Sequence, residues 1–289
     1  MSAEEKRGLN KVDKLAVIAG GGDLPRKLIK SCREDNIELF IIAFEGNTDI
    51  ETVEGTDHIW TDLGAAKKNI NALKKRDIKH LVFCGSIKRP SFKGMKPDWK
   101  AARFLTKVGL KALGDDGLLT AVRKELEKEG FVFHGVHEFM NDVLTPKGVL
   151  TDTAPKESYL EDIKTGFRIS QEIGRLDIGQ SVVVQDGIIL GVEAIEGTDA
   201  LIGRAGGLAR EGAKNKPVLI KTCKPQQDKS MDLPTIGVKT VQKAAEQGFA
   251  GIAVHAGMSL MVHKDAVIRE ANQSELFIIG LDDPNDDES

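Results

Sequence analysis

From residue 14 onward, short apolar runs rich in β-branched residues alternate with amphipathic segments. KLAVIAG (14–20), IELFIIAF (37–44) and HLVFCG (80–85) read as strands, with LPRKLIKSCRED (24–35) and GAAKKNINALKKRD (64–77) as the helices between them. Strands joined by single helices call for right-handed crossovers and a parallel sheet. The first part of the chain is therefore expected to be Rossmann-like. A mostly helical stretch follows, DWKAARFLTKVGLKAL and GDDGLLTAVRKELEKEG, in which Asp115 and Asp116 stand where an N-cap belongs and Gly130 where the helix stops. FVFHGV then returns to strand.

Residues 144–158, LTPKGVLTDTAPKES, are rich in Pro, Gly, Thr and Ser and carry no period. The domain boundary is placed there: a flexible leader over 1–13, a first domain over 14–145, a linker over 146–157 and a second domain over 158–289. The second domain opens with a helix (159–173). In SVVVQDGIILGVEA, Asp186-Gly187 between β-branched runs signals a hairpin. TDALIGRAGGLAREG reads as a helix capped by Thr198 or Asp199, PVLIKTC as a strand and 238–247 as a helix. GIAVHAGMSLMV reads as a second hairpin, 264–273 as a helix and ELFIIG as the last strand. The fold class is α/β with two domains, an N-terminal Rossmann-like parallel sheet and a C-terminal α/β domain with a mixed sheet.

A length of 289 residues fits two domains that each bury a core. With 41 basic and 44 acidic residues, a net charge of −3 and no long basic block, nucleic acid is not an expected partner. Cys32, Cys84 and Cys223 form no CxxC pair and no even framework, which suits reduced thiols in a cytosolic protein. The leader is charged and lacks a signal-peptide core. FAGIAVHAGMSLMV is broken by His255 and two glycines, and no run reaches the ~18 apolar residues of a membrane span. A soluble, cytoplasmic protein is expected.

Gly20, Gly21 and Gly22 follow the first strand and precede a helix, where backbone N–H groups can meet a phosphate. The spacing is not GxGxxG, and Asp23 adds a negative charge, so a plain tight turn stays open beside the phosphate reading. Lys88 and Arg89, on the loop after HLVFCG, can clamp a diphosphate or simply be solvated. Asp115 and Asp116 fit magnesium ligands or an acidic N-cap. EAIEGTDAL places Glu193, Glu196 and Asp199 around Gly197 with Thr198 beside them, oxygen donors suited to a hard cation, again with helix capping as the alternative. In KPQQDKSMDLPTIG (224–237), Pro225 and Pro234 disfavour regular structure, so the segment is a loop following an apolar strand. Lys224, Gln227, Asp228 and Asp232 put a cation, an amide and two acids within nine residues, a mix suited to phosphate and metal. There is no HExxH, no GxSxG and no Cys/His metal spacing, and His134 with His137 lacks a third ligand. A histidine-based hydrolase is disfavoured.

LAVIAGGGDLP, VFCGSIKRPSF, GDDGLL, EKEGFVFHGVHE, IGRLDIGQSVVVQDGIILGVEAIEGTDALI, KPQQDKSMDLPTIG, AGIAVHAG and LFIIGLD follow one another in this order. Together they resemble the UDP-2,3-diacylglucosamine pyrophosphatases of the LpxI type, over about residues 14 to 282. The resemblance implies a Mg²⁺-dependent hydrolase of lipid A biosynthesis in Gram-negative bacteria, with Mn²⁺ as a substitute metal. It would cleave UDP-2,3-diacylglucosamine to UMP and 2,3-diacylglucosamine 1-phosphate (lipid X), by attack of water on the phosphorus nearer the sugar. It implies two domains with the ligand in the cleft between them. The family's essential aspartate matches Asp232, and the acid of its KPxQ[DE] pattern matches Asp228. The expected site has Asp232 and Asp228 for the chemistry and Asp232 with Asp199 for the metal. Gly20, Gly21, Gly22, Lys88, Arg89, Glu196, Thr198, Lys224, Gln227 and Thr235 are the expected substrate contacts.

A lipid-linked substrate implies transient contact with the inner face of the inner membrane, although no basic amphipathic helix stands out. Oligomeric state is not set by the sequence, with a homodimer as one expectation. Two other functions match parts of the sequence. An NAD(P)-linked oxidoreductase matches the Rossmann-like start but lacks GxGxxG, and a non-catalytic nucleotide-binding module leaves both acidic loops idle.

Overall fold

The computed structural model describes residues 12–87, 97–108, 115–140, 142–227 and 233–282. Apart from Val12 and Asp13, the expected leader lies outside the described residues. The chain forms two compact units, one running through residue 140 and the other starting at 142.

The first unit follows β1 (Lys14–Ala19), α1 (Asp23–Glu34), β2 (Glu38–Phe44), α2 (Ile50–Val53), β3 (Asp57–Thr61), α3 (Ala66–Lys75), β4 (His80–Cys84), α4 (Trp99–Val108), α5 (Asp115–Lys128) and β5 (Val132–His134). Its five strands are ordered β3-β2-β1-β4-β5 and all pair in parallel. Fully buried β1, LAVIA from residue 15, explains the unbroken apolar run, since a central parallel strand has no solvent face. Phe40, Ile42, Leu81, Phe83 and Phe133 pack with Ile70 and Leu73 of α3, each contributing roughly 1.5–3 kcal/mol by burial. Strand order reverses between β1 and β4, so the switch point of this sheet lies at the carboxyl ends of those two strands.

The second unit follows β6 (Gly148–Val149), α6 (Leu160–Arg175), β7 (Ser181–Gln185), β8 (Ile188–Val192), α7 (Thr198–Gly206), β9 (Val218–Lys221), β10 (Thr235–Ile236), α8 (Val238–Glu246), β11 (Gly251–His255), β12 (Leu260–Met261), α9 (Lys264–Gln273) and β13 (Phe277–Leu281). The main sheet is ordered β6-β13-β11-β9-β7-β8, with β9, β11 and β13 parallel and the other pairings antiparallel. Ile163 and Phe167 of α6 cover one face together with Val182, Val218 and Ile220, while α7, α8 and α9 bury Leu201, Val241 and Val267 on the other with Leu219 and Ile252. The expected Asp186-Gly187 hairpin forms, with both residues at positive φ (48 and 76°). Buried Asp162 secures it by accepting the N–H groups of Asp186 at 2.8 Å and Gly187 at 2.6 Å.

Several elements differ from the sequence reading. Strand β3 carries no clear signal in the sequence, because DHIWT is short and mostly half-exposed. Residues 146–157 are bonded into the second unit instead of linking two units. Gly148 and Val149 pair with β13, Ile278 N donates to Thr151 Oγ1 at 2.9 Å, and Asp152 N donates to Asn272 Oδ1 at 2.9 Å. A two-residue strand is too short to show a period. GIAVHAGMSLMV is no hairpin: β11 has β9 and β13 on its two sides, so β12 pairs in parallel with β10 in a separate small sheet. Helix α7 is capped by neither Thr198 nor Asp199. Its N-cap is Gly197 at φ 79°, ψ 167°, a region open mainly to glycine, and no side chain caps it.

Candidate active site

The carboxyl ends of β9, β11 and β13 form one edge of the second sheet, the edge where open α/β sheets bind ligands. A cavity of about 410 Å³ opens there, lined by Gln171 and Arg175 of α6, Lys224 and Pro225 after β9, His255 at the end of β11 and Asp282 after β13. Lys224 is 8 % exposed, and its Nζ donates to Asp177 Oδ1 at 2.7 Å. Asp177 holds this place in a left-handed turn (φ 54°) just past α6. The KPQQ segment is a fixed turn: Gln227 N donates to Lys224 O at 2.9 Å, Lys224 N to Gln227 Oε1 at 3.3 Å, and Gln226 Nε2 to Gly174 O at 2.7 Å. Lys224 and Gln227, both expected substrate contacts, are therefore brought together.

A second polar cluster stands at the same edge. Lys221, the last residue of β9, donates from Nζ to Thr198 Oγ1 at 3.0 Å and to the Thr235 carbonyl at 3.1 Å. Thr198 Oγ1 donates in turn to Glu193 Oε1 at 2.8 Å, and Gln180 N donates to Glu193 Oε2 at 3.3 Å. Thr198 and Thr235 are thus joined, and the joining residue was not among the expected ones. Lys221 closes an apolar run, VLIK, that reads only as buried strand; its place at the carboxyl edge was the one available signal.

Glu196 and Asp199 are committed elsewhere. Glu196 Oε1 accepts from Arg204 at 2.7 Å, and that hydrogen bond holds its carboxyl below the ordinary range. Asp199, expected as a metal ligand, accepts from Lys243 Nζ of α8 at 2.7 Å, both side chains being exposed. Among the described residues no three His, Cys, Asp or Glu side chains stand close enough to hold a metal ion. Asp228, Asp232, Lys88 and Arg89 lie outside the described residues, as do the side chains of Asp115 and Asp116.

The glycine cluster at β1 does not present free donors. Gly20 N donates to Cys84 O and Gly21 N to Ser86 O, each at 2.8 Å, and Gly22 N donates to Asp49 Oδ2 at 2.8 Å. All three N–H groups expected at a phosphate are used inside the unit. The glycines serve close backbone approach instead: a Cβ on Gly20 would stand 2.3 Å from Ser86 O. The thiols are bland as expected. All three are buried and in no disulfide, and burial followed by the charge of Asp35 pushes the Cys32 thiol up to about 12.

Two family models match in succession, the LpxI N-terminal domain over residues 14–143 and the LpxI C-terminal domain over 146–279. The chain belongs to the LpxI family. The seam between the two LpxI matches falls within a few residues of the division between the units. A relative from Caulobacter vibrioides, UDP-2,3-diacylglucosamine pyrophosphatase LpxI, is 38% identical over 276 residues, covering 93% of this chain and 98% of that protein. Among solved structures, the biotin carboxylase domain of Hydrogenobacter thermophilus 2-oxoglutarate carboxylase matches 61% of this chain and 35% of its own, at 19% identity and a TM-score of 0.24. The biotin carboxylase subunit of a pyruvate carboxylase matches the same shares at 15% identity and a TM-score of 0.21.

Proposed function

We infer that this LpxI-family chain is a hydrolase that splits UDP-2,3-diacylglucosamine into UMP and 2,3-diacylglucosamine 1-phosphate in lipid A biosynthesis. The observation that carries this reading is 38% identity to a UDP-2,3-diacylglucosamine pyrophosphatase over 93% of the chain. Splitting a diphosphate requires neutralised oxygens and a water aligned with the leaving phosphate. Asp232 is proposed to direct that water to the phosphorus nearer the sugar, so that the bridging oxygen leaves with UMP.

Mg²⁺, or Mn²⁺ in its place, is proposed as the cofactor, with Asp232 and Asp228 as the carboxylates that would hold it. When bound it would neutralise the diphosphate oxygens. The donors offered by the acidic loop are carboxylates and an amide with no thiolate or imidazole, which suits a hard cation. Asp199 leaves the proposed ligand set because its carboxylate is held by Lys243. The Gly20–Gly22 turn likewise leaves the proposed substrate contacts, which also takes away the footing of an NAD(P)-linked or nucleotide-sensing function. A cytoplasmic enzyme touching the inner face of the inner membrane transiently fits a diacylated substrate; no described helix is long and apolar enough to cross a membrane.

The test is turnover of UDP-2,3-diacylglucosamine in ¹⁸O-labelled water, with and without Mg²⁺, products being identified by mass spectrometry. UMP release with the label in the sugar 1-phosphate supports the reading. Label in UMP would reverse the site of attack, undiminished turnover after exhaustive chelation would remove the metal, and no UMP in the presence of metal would overturn the function.

A further inference from the structure

We propose that the exposed Trp99 and the cations around it dock the protein on an anionic phospholipid surface. The inference rests on the reading above that the substrate is a diacylated lipid, held in a bilayer leaflet by its two acyl chains. Trp99 opens α4 and is 56 % exposed, with the Nζ atoms of Lys67 and Lys100 at 5.8 and 6.0 Å from the centre of its ring. Two cations beside one indole orient it without covering it. Arg103, one turn further along the same side of α4, is exposed as well, while Ala101 between them is buried. Lys68 stands exposed next to Lys67, its Nζ donating to the Trp60 carbonyl at 2.9 Å.

The helices that present these side chains are fixed to one another at their starts. Asp98 N donates to Gly64 O at 2.9 Å, and the Asp98 carboxylate accepts Lys67 N of α3 at 2.6 Å and Ala101 N of α4 at 2.9 Å. Neither helix contains an acid: α3 reads AKKNINALKK and α4 reads WKAARFLTKV. Among the described residues two carboxylates touch the cluster, and both are committed. Asp98 holds the two backbone N–H groups, and Glu129 is shared by Lys74 and Lys100 at 2.5 Å each. The patch therefore stays positive in a chain whose net charge is −3. Helix α3 turns Ile70 and Leu73 into the core, so it offers the surface charge alone, and Trp99 supplies the apolar element. Indole rings settle at the headgroup boundary of a bilayer, and basic side chains are drawn to its anionic lipids. A flat leaflet needs only a protruding aromatic ringed by cations, and α3 and α4 present one.

The experiment is flotation of the full chain with vesicles of phosphatidylcholine alone and with vesicles that also contain phosphatidylglycerol, none carrying substrate, at about 0.1 M salt. The protein should float with the anionic vesicles and not with the neutral ones. Trp99→Ala should lower the partition coefficient by about tenfold, and Lys67→Gln/Lys68→Gln by about 25-fold, which is roughly fivefold per lysine. Lys216→Gln/Lys239→Gln, two exposed lysines of the second unit, removes the same charge elsewhere and should lower it by less than about twofold. Trp60→Phe leaves Trp99 as the one tryptophan of the chain's two, and its emission should shift to the blue on anionic vesicles and stay in place with UMP. Should Trp60→Phe not fold, flotation of Trp99→Ala decides alone. No binding, equal binding to neutral vesicles, an equal loss in the control pair, or a shift of Trp99 emission by UMP without vesicles would each overturn the proposal. Turnover of UDP-2,3-diacylglucosamine beside absent vesicle binding would overturn this inference alone, and patch-dependent binding without turnover would overturn the hydrolase reading alone.

Discussion

The carboxylate of Asp49 accepts the backbone N–H of Gly22 at 2.8 Å, at the N-terminus of α1 where a sheet of this order commonly meets a ligand phosphate. A side chain of the protein therefore stands in for the anion. Asp49→Ala is expected to cost about 1 kcal/mol, the value of a lost N-terminal acceptor, and to leave kcat and KM within about twofold. Thermal melting and steady-state kinetics check this together. A tenfold rise in KM would return Gly22 to the substrate site.

Gly20 and Gly203 give opposite expectations for the same substitution. A Cβ on Gly20 meets the Ser86 carbonyl oxygen at 2.3 Å and Gly85 C at 2.7 Å, backbone atoms that cannot swing aside. Gly20→Ala should destabilise by about 1–3 kcal/mol, as overpacking does. Gly203 lies inside α7 with open space around it, so Gly203→Ala should stabilise by about 0.5–1 kcal/mol through helix propensity. Urea denaturation of both variants reads the sign directly.

Two groups of the first unit should make its stability fall in acid by separate steps. Burial, then the charges of His134 and Lys79, push the His80 imidazole below its usual 6.5, while its Nδ1 meets His134 Nε2 at 2.9 Å. The unfolded chain takes that proton more readily, so the contribution is complete above about pH 6.5 and is lost as pH falls through the lower folded value. Hydrogen bonds from Lys100 and Lys74 hold the Glu129 carboxyl at about 2, so its share is complete above pH 4.5 and is lost as pH falls toward 2. Calorimetric melting between pH 8 and 3 should show both slopes. His80→Gln should flatten the first and Glu129→Gln the second.

Asp199 separates the metal reading from a surface ion pair. With both partners exposed, Asp199→Asn should change stability by less than about 1 kcal/mol and turnover by less than about threefold at saturating Mg²⁺. A raised Mg²⁺ requirement, measured as the metal concentration giving half-maximal rate, would restore Asp199 to the ligand set.

What the sequence revealed follows from where each segment sits. Strands β1, β2 and β4 were legible because parallel strands covered on both faces become unbroken apolar runs, and α6, α8 and α9 because one face of each carries the buried positions. Pairing is not written in such runs, so the partner of β12 was missed although its strand character was not. At the site, Pro225 and the polar residues after it marked the turn holding Lys224 and Gln227. Glu196, just ahead of α7, and Asp199, in its first turn, read as oxygen donors because an acid there looks the same in sequence whether it meets a ligand or, as here, Arg204 and Lys243. Lys221 was hidden in a run whose other members are core residues.

The antiparallel bonding of Gly148 and Val149 to β13 has a practical consequence for dissecting the molecule. The opening segment of the second unit and its final strand lie side by side, as adjoining staves do where a hoop is joined. A fragment started at residue 158 would strip β13 of that neighbour and leave its hydrogen-bonding groups bare, an invitation to self-association. One started at 142 keeps the join, and by bringing the two ends together it makes this unit a natural candidate for circular permutation.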